Sequence, residues 1–301
     1  KNYCKKYATT VVVSILNKSN QGEIFYPVPS LNQQKSIVSF LNQKTAKIDQ
    51  LIQKNKKLIK LLEEKRQAMI TQATTEGLDP NVEMKDSGVK WIGKIPKDWK
   101  VKKLKYLVNS IFSNVDKKIN EQETPVQLCN YIDVYKNDYI VNNIQFSGGT
   151  ASLTETEKYK IKVDDVLVTK DSETPDDIAK PALVKEVSKD LICGYHLALL
   201  RPRKSTILSE YIFWLLMSRS FNQHFEISAK GITRYGLSIS VFRDVKIPLP
   251  SVQEQKEVSV ILESLSIKTS NLMAKLVKQN KKLEEYRQAL ISNAVTGKIK
   301  I

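Results

Sequence analysis

The sequence predicts an α+β protein, in which one mixed domain lies between two long helices. Three observations predict this fold class. An internal repeat of helical character stands near each end of the 301-residue chain. Short strand-like segments separated by turn residues fill the stretch between the copies. Hydrophobic residues make up 41% of the sequence, which is enough for a sizeable core.

The internal repeat brackets the middle of the chain. Residues 27–41 and 248–262 align without a gap, so that Pro248 corresponds to Pro27 at an offset of 221 residues. The similarity continues at 63–70 and 284–291, which both read Glu-Glu-x-Arg-Gln-Ala-x-Ile. Two copies are too few for a solenoid, so we interpret them as a pair of equivalent helices.

Each copy has the pattern of a long helix. Prolines hold its entry extended, and Ser30 and Ser251 stand at N-cap positions. Apolar residues then recur every three to four positions, and Asn55 interrupts the first stripe as register-setting polar residues do. We expect the two stripes to pack on each other as a coiled coil. Docking of each stripe on another subunit is the alternative.

The middle segment predicts an α+β domain. The first helix is expected to end at 77–80, which reads Gly-Leu-Asp-Pro. Strands are predicted at 126–128, 166–168 and 197–200, with turns at 147–149 and 174–177. Residues 206–226 are expected to form one helix.

The charge excess points to an anionic partner. Lys and Arg total 48 and Asp and Glu total 32, which gives a net charge of +16. The helical segments 34–74 and 252–301 carry +6 and +4 of this excess. Such a balance is typical of proteins that bind nucleic acid. Solvated helix faces are the alternative for individual lysines.

Several chemistries are not indicated by the sequence. Three scattered cysteines offer neither a disulfide framework nor zinc spacing, and two histidines make a His-based metal centre a poor interpretation. No phosphate-binding loop, dinucleotide motif or base-gripping methyltransferase motif occurs. No apolar run reaches the roughly 18 residues of a membrane span. We therefore expect no catalytic residue, metal site or cofactor in this chain, and a structural role for His196.

Three basic clusters are candidate DNA contacts. The first, at 230–236, combines two glycines that permit close backbone approach with charged, hydroxyl and aromatic side chains. Arginine in such a turn is the side chain that reads guanine O6 and N7. A plain basic surface turn is the alternative interpretation. The candidate residues of the three clusters are Lys230, Gly231, Thr233, Arg234 and Tyr235, then Lys158 and Lys160, then Lys170 and Lys180.

These features together resemble the specificity (S) subunit of type I restriction-modification systems. The resemblance rests on the Pro-x-Pro-Ser-x-x-x-Gln-Lys entries at 27–35 and 248–256, the repeated helix ends, and the segment 86–99. The tail at 294–298 matches as well. Each motif alone is weak, whereas the ordered set is quite specific and covers nearly the whole chain.

The resemblance implies a domain layout. Residues 1–30 would be the tail of a truncated first target-recognition domain, 31–76 a central helix, 80–250 a target-recognition domain and 251–301 a distal helix. The two helices would form an antiparallel coiled coil. The short segment ahead of the central helix and the start at Lys1 suggest that most of the first recognition domain is missing.

The resemblance also implies a function. The chain would be a non-catalytic, cytoplasmic subunit that recognises double-stranded DNA by sequence. It would direct adenine methylation and restriction by methyltransferase (M) and motor-nuclease (R) subunits, with S-adenosylmethionine bound by the partner methyltransferase. A homodimer is possible if only one recognition domain is present. The alternative is a coiled-coil scaffold whose α+β domain binds protein, and a stand-alone nuclease is the third hypothesis.

Overall fold

The computed structural model describes residues 9–10, 14–15 and 28–301, and the chain divides into two compact units. One contains residues 1–61 and 271–301, and the other contains 62–270. The predicted remnant of a first recognition domain, 1–30, falls almost entirely outside the described residues and stays a prediction. Within it, strands β1 (Thr9–Thr10) and β2 (Ser14–Ile15) pair antiparallel.

Two long helices carry the repeated sequence. Helix α1 spans Leu31–Thr75 and helix α7 spans Val252–Val295. Neither helix contains Gly or Pro, and these are the residues that interrupt helices at greatest cost. The predicted domain boundaries at 76, 80, 250 and 251 are not tested by these spans and stay predictions.

The repeated entries build the same cap on both helices. Ser30 Oγ accepts the Gln33 amide at 3.4 Å, and Ser251 Oγ accepts the Glu254 amide at 3.2 Å. The first backbone N–H groups of a helix have no acceptor within the helix, and each of these bonds supplies an acceptor to one of them. Both N-cap predictions are thereby confirmed.

A glutamine follows each cap at the same position of the repeat. Gln34 Nε2 donates to the Pro29 carbonyl at 2.8 Å, and Gln255 Nε2 donates to the Pro250 carbonyl at 3.1 Å. Each proline precedes its helix in an extended segment, so its carbonyl has no intrahelical partner. The repeated Pro-Ser-x-x-x-Gln sequence is therefore explained by a shared pattern of hydrogen bonds.

The coiled-coil unit comprises the described residues 28–61 and 271–301. Its core contains Ile48, Ile52 and Leu290. Asn55 Nδ2 donates to Asn280 Oδ1 at 2.8 Å, and Arg287 lies 2.9 Å from Asp49. Residue numbers rise along one helix as they fall along the other, so the helices are antiparallel. The fold class, including this intramolecular coiled coil, is confirmed.

The α+β unit, residues 62–270, contains most of the strands. The strands are β3 (Met84–Asp86), β4 (Lys94–Pro96), β5 (Lys100–Lys103), β6 (Val108–Phe112), β7 (Thr124–Cys129), β8 (Tyr139–Ile140), β9 (Ser147–Ala151), β10 (Val166–Thr169), β11 (Asp171–Ser172), β12 (Pro181–Val184), β13 (Leu191–Cys193), β14 (Leu197–Pro202), β15 (Tyr235–Gly236) and β16 (Lys246–Leu249). A five-stranded sheet has the order β6-β14-β10-β12-β8, and a three-stranded sheet has the order β13-β7-β9. The other strands of this unit form three two-stranded pairs, β3-β4, β5-β16 and β11-β15.

Five shorter helices belong to the same unit. They are α2 (Tyr131–Lys136), α3 (Leu153–Lys158), α4 (Ser209–Met217), α5 (Arg219–Ser228) and α6 (Ile239–Asp244). Helix α4 is buried on nearly every face, with Tyr211, Phe213 and Trp214 at most 1% exposed. Ile70 of α1 and Val258 of α7 join the same apolar cluster. The inner ends of both long helices are thereby part of the core of this unit.

Two local predictions were wrong. Residues 147–149 form part of β9 rather than a turn, with Gly149 paired to Val126. A Cβ on Gly149 would lie 2.5 Å from Leu128 Cδ1, so the glycine serves close packing within the sheet. The single helix expected at 206–226 is two helices, because Ser218 adopts an extended conformation (ψ 145°) between them.

Candidate nucleic-acid interface

The basic turn at 230–236 is a closed hairpin. Lys230 and Gly236 exchange backbone hydrogen bonds of 3.1 and 2.9 Å. Gly231 has φ +156°, and a Cβ there would lie 1.9 Å from the Arg234 carbonyl oxygen. Only glycine fits this position without moving the backbone. The turn therefore holds its basic side chains on a defined backbone, with Ile232 at its tip 93% exposed.

Strand pairing anchors this hairpin next to another predicted cluster. Gly236 pairs with Asp171 and Tyr235 pairs with Ser172 in the β11-β15 ladder. The Leu237 amide also donates to the Lys170 carbonyl at 2.8 Å. The structure thus brings together the basic turn and Lys170, which are distant in sequence.

The Arg234 side chain contacts Asp171 of β11 and His196, which lies directly before β14. Its Nη2 donates to Asp171 Oδ1 at 2.8 Å, and Nε lies 3.2 Å from the same oxygen. His196 Nδ1 lies 2.7 Å from Asp171 Oδ1 and 3.0 Å from Arg234 Nη2. We call Arg234, Asp171 and His196 the Arg234 cluster.

The geometry of the Arg234 cluster leaves donors available to a ligand. The Asp171 side chain is only 17% exposed, whereas that of Arg234 is 51% exposed. A guanidinium carries five N–H donors, and the contacts to Asp171 use those on Nε and Nη2. The Nη1 group can therefore donate outward while a carboxylate fixes the plane of the guanidinium. This arrangement suits paired acceptors on a base edge or a phosphate.

Lys170 and Lys180 lie close to this cluster but differ in exposure. The half-buried Lys170 ammonium donates to the Ser113 carbonyl at 3.1 Å and lies 5.4 Å from the Tyr195 ring centroid. Burial lowers the pKa of Lys170, against the opposing attraction of Asp171. Lys180 is exposed, and its amide donates to Thr169 Oγ1 at 2.9 Å. Lys180 is thus the freer side chain of the two.

Lys158 and Lys160 have different surroundings. Lys158 ends α3 and places its ammonium 5.0 Å from the Tyr159 ring centroid. Lys160 bridges to Ile192 of β13, and its carbonyl accepts Arg201 Nη2 at 2.9 Å. Both lysines are exposed. Their contacts are with α3, β13 and β14 rather than with the β11-β15 ladder.

The remaining turn residues divide by exposure. Thr233 is exposed and available to a ligand, whereas Tyr235 packs partly against the apolar core. Only part of the Tyr235 ring can therefore serve as the predicted stacking surface. No contact in the structure tests the DNA-binding role of any candidate residue, so all nine stay predictions.

Sequence reasoning missed three residues of this site. In the sequence Asp171 is only an acidic neighbour of Lys170, and His196 was expected to be structural. Tyr195 is 42% exposed and lies against His196, with ring centroids 3.8 Å apart. The available signal was the adjacency of Tyr195 and His196 in an otherwise apolar segment.

Neither a metal-holding cluster nor a membrane-spanning helix occurs among the described residues. Within residues 28–301, no group of three or more His, Cys, Asp and Glu side chains is placed to hold a metal ion. Pro175–Asp177, whose Pro-Asp pair also opens some nuclease motifs, forms a 3-10 turn. Among the described helices, none combines the length and apolar character needed to cross a membrane.

An α+β domain and an antiparallel coiled coil occur together in this chain, and the domain carries a basic hairpin. The family model for the type I restriction modification DNA specificity domain matches residues 96–284. This chain therefore belongs to that family.

Individual relatives agree with this assignment. The putative type I restriction enzyme MjaX specificity subunit of Methanocaldococcus jannaschii is 26% identical over 213 residues, which cover 68% of this chain and 47% of the relative. The MjaVIII specificity subunit of the same organism is 24% identical over 275 residues, which cover 91% of this chain and 62% of the relative. The chain thus spans about half to three fifths of the length of these relatives.

A solved structure supports the fold. The HsdS subunit from Thermoanaerobacter tengcongensis superimposes with a TM-score of 0.57 at 14% sequence identity, covering 99% of this chain and 67% of that chain. At this identity the likeness concerns the fold alone.

Proposed function

We propose that this chain is a sequence-specific DNA-recognition subunit of a type I restriction-modification complex. The observation that carries the proposal is the Arg234 cluster on a closed basic hairpin. An arginine whose plane is fixed by a carboxylate is suited to donate two hydrogen bonds to guanine O6 and N7. Lys230, exposed at the base of the same hairpin, would bind a neighbouring phosphate.

The net charge of +16 supports this proposal. Phosphate contacts supply most of the sequence-independent affinity of DNA-binding proteins, and base contacts add the specificity. The Arg234 cluster supplies a candidate for the base contact, and exposed lysines supply candidates for phosphate contacts. Membership in a specificity-domain family supports the same division of roles.

The proposal extends to partners. The chain would direct adenine methylation and restriction without catalysing either, because methyltransferase (M) and motor-nuclease (R) subunits would carry the chemistry. S-adenosylmethionine would bind to the methyltransferase partner, in the cytoplasm. A chain with one recognition domain would read one half of a split target, and a homodimer would read two. The naming of relatives as specificity subunits of type I restriction enzymes supports this part.

Replacing Lys230 and Arg234 by alanine tests the proposed interface. We expect the double variant, assembled with its methyltransferase, to lose about tenfold to hundredfold in affinity for target DNA, because a base contact and a phosphate contact are both removed. The measurement is equilibrium binding to a labelled target duplex at fixed salt.

A matched control removes the same charge elsewhere on the α+β unit. Arg243 and Lys246 are both exposed, and their alanine double variant should bind target DNA nearly as well as the wild type. Equal losses in the two double variants would mean that general charge is responsible and that the hairpin is not the site. A wild-type complex that assembles but does not bind DNA would favour the hypothesis of a coiled-coil scaffold whose α+β domain binds protein.

A further inference from the structure

The coiled-coil unit carries a dense band of lysines. The two helices contribute seven exposed members, which we call the lysine band: Lys54, Lys56 and Lys57 on α1, and Lys275, Lys278, Lys281 and Lys282 on α7. No Asp or Glu occurs at 50–62 or at 271–283, but Glu284 and Glu285 follow directly. Lys281 and Lys282 therefore have carboxylates within four residues along their helix, whereas the other five members of the band have none.

A buried hydrogen bond keeps the two halves of the band at one level. Asn55 and Asn280 are 6% and 8% exposed, and their amide groups bond at 2.8 Å. A buried Asn pair of this kind fixes helix register. Lys54 and Lys57 flank Asn55, and Lys278 and Lys281 flank Asn280. At 1.5 Å rise per residue, the two halves span about 5 and about 11 Å along their helices.

This charge arrangement is unfavourable without a partner. Lysines three and four apart on a helix face lie close enough to repel. Both helices contain such pairs, for example Lys54 with Lys57 and Lys278 with Lys281. Elsewhere in the same unit, Arg287 is paired with Asp49 at 2.9 Å. Concentrated and unbalanced charge at one level points to a polyanionic ligand.

The residue type indicates contacts that depend on charge rather than on fixed geometry. Every basic residue at this level is lysine and none is arginine, although arginine is the better partner for bidentate contacts to a carboxylate or a phosphate. Lysine is also depleted at protein–protein interfaces. A compact ammonium on a flexible stem instead suits repeated phosphates, whose positions vary with the DNA.

We propose that the lysine band binds the sugar-phosphate backbone of duplex DNA without regard to base sequence. This inference rests on the proposed function and deepens it, because it assigns sequence-independent affinity to the coiled-coil unit. Sequence discrimination would stay with the Arg234 cluster on the α+β unit. Changes in the band should therefore alter the salt dependence of binding and leave the preference for target over non-target DNA unchanged.

The test compares two quadruple variants of the full chain assembled with its methyltransferase. The band variant is K54Q/K57Q/K278Q/K281Q. The control variant, K44Q/K47Q/K298Q/K300Q, removes the same charge from exposed lysines of the same unit outside the band. The probes are a labelled duplex of random sequence, about four helical turns long, and a duplex carrying the target.

We expect the band variant to bind the random duplex about tenfold or more weakly at low salt. Its slope of log affinity against log salt should be less steep than that of the wild type by about 3 to 4, since about 0.9 counterion is released per phosphate contact. The control variant should keep the wild-type slope. Thermal unfolding of the free band variant should occur at an equal or higher temperature, because lysine repulsion has been removed.

Two results would overturn the proposal. An unchanged slope in the band variant, or equal changes in both variants, would show that the band is a solvated helix face. Failure of the band variant alone to assemble with the methyltransferase would assign the band to a protein interface. The wild-type protein could instead show no preference for any sequence, while the band variant still has a less steep slope of log affinity against log salt. That result would support DNA binding by the lysine band and contradict the proposed recognition of DNA sequence.

Discussion

Replacing Gln255 by leucine is expected to lower the free energy of unfolding by about 3 kcal/mol, since three backbone groups in buried or partly buried hydrogen bonds lose their partner at about 1 kcal/mol each. Gln255 is fully buried. Its Oε1 accepts the Leu208 amide at 2.8 Å, and its Nε2 donates to the Thr206 and Pro250 carbonyls, each at 3.1 Å. Leucine has a similar volume, so the loss would come from hydrogen bonding rather than from a cavity.

Urea unfolding followed by tryptophan emission measures this change, because Trp91, Trp99 and Trp214 all lie in the α+β unit with Gln255. Helical circular dichroism follows the coiled-coil unit, which contains Gln34. The repeat supplies the control. Gln34 is the equivalent residue of the first copy, is only partly buried, and donates one bond to the Pro29 carbonyl. Gln34→Leu should therefore cost less than about 1 kcal/mol. A Gln255→Leu protein as stable as the wild type would contradict this account of the repeated entry.

Replacing Asp171 by asparagine should reduce sequence discrimination without weakening binding to random DNA. Asparagine keeps the size of the side chain but removes the charge that fixes the Arg234 guanidinium at 2.8 Å. We expect at least a tenfold fall in the ratio of target to non-target affinity, because a well-placed bidentate contact contributes about 1–3 kcal/mol of discrimination. Affinity for random DNA should stay equal or rise, since a negative charge has been removed.

Glu173→Gln is the matched control for this variant. It removes the same charge two residues away, on an exposed side chain. Both variants should gain similar affinity for random DNA, and only Asp171→Asn should lose discrimination. A merely structural role for Asp171 would lower both affinities together. If the two variants discriminated equally well, Asp171 would not position Arg234 for base reading.

The long helices were predictable because their signals are local. The apolar spacing, the cap serines and the absence of Gly and Pro all lie within the helices that they specify. Asn55 was recognised as an interruption of the stripe, but its partner Asn280 was not. The reason is that the pairing depends on the register between two segments 225 residues apart. Local signals determine the helices, and the tertiary structure determines their register.

The site was only partly predictable for the same physical reason. The basic turn was visible as a continuous segment, whereas Asp171 and His196 reach Arg234 from 63 and 38 residues away. Their meeting depends on the pairing of two-residue strands β11 and β15, which have no periodic signal of their own. Gly149 failed as a turn signal because its close contact with Leu128 comes from strand pairing. Exposure, too, depends on tertiary packing, which distinguishes half-buried Lys170 from exposed Lys180.

Selection from a random duplex pool tests the central claim most directly. The chain, assembled with its methyltransferase, is incubated with the pool, and the bound DNA is sequenced over successive rounds. The account predicts enrichment of a short defined motif, as a single half-site for one recognition domain or an inverted repeat for a homodimer, and loss of that enrichment in the Arg234→Ala variant. A stable complex that enriches no motif would contradict the claim that this chain reads DNA sequence.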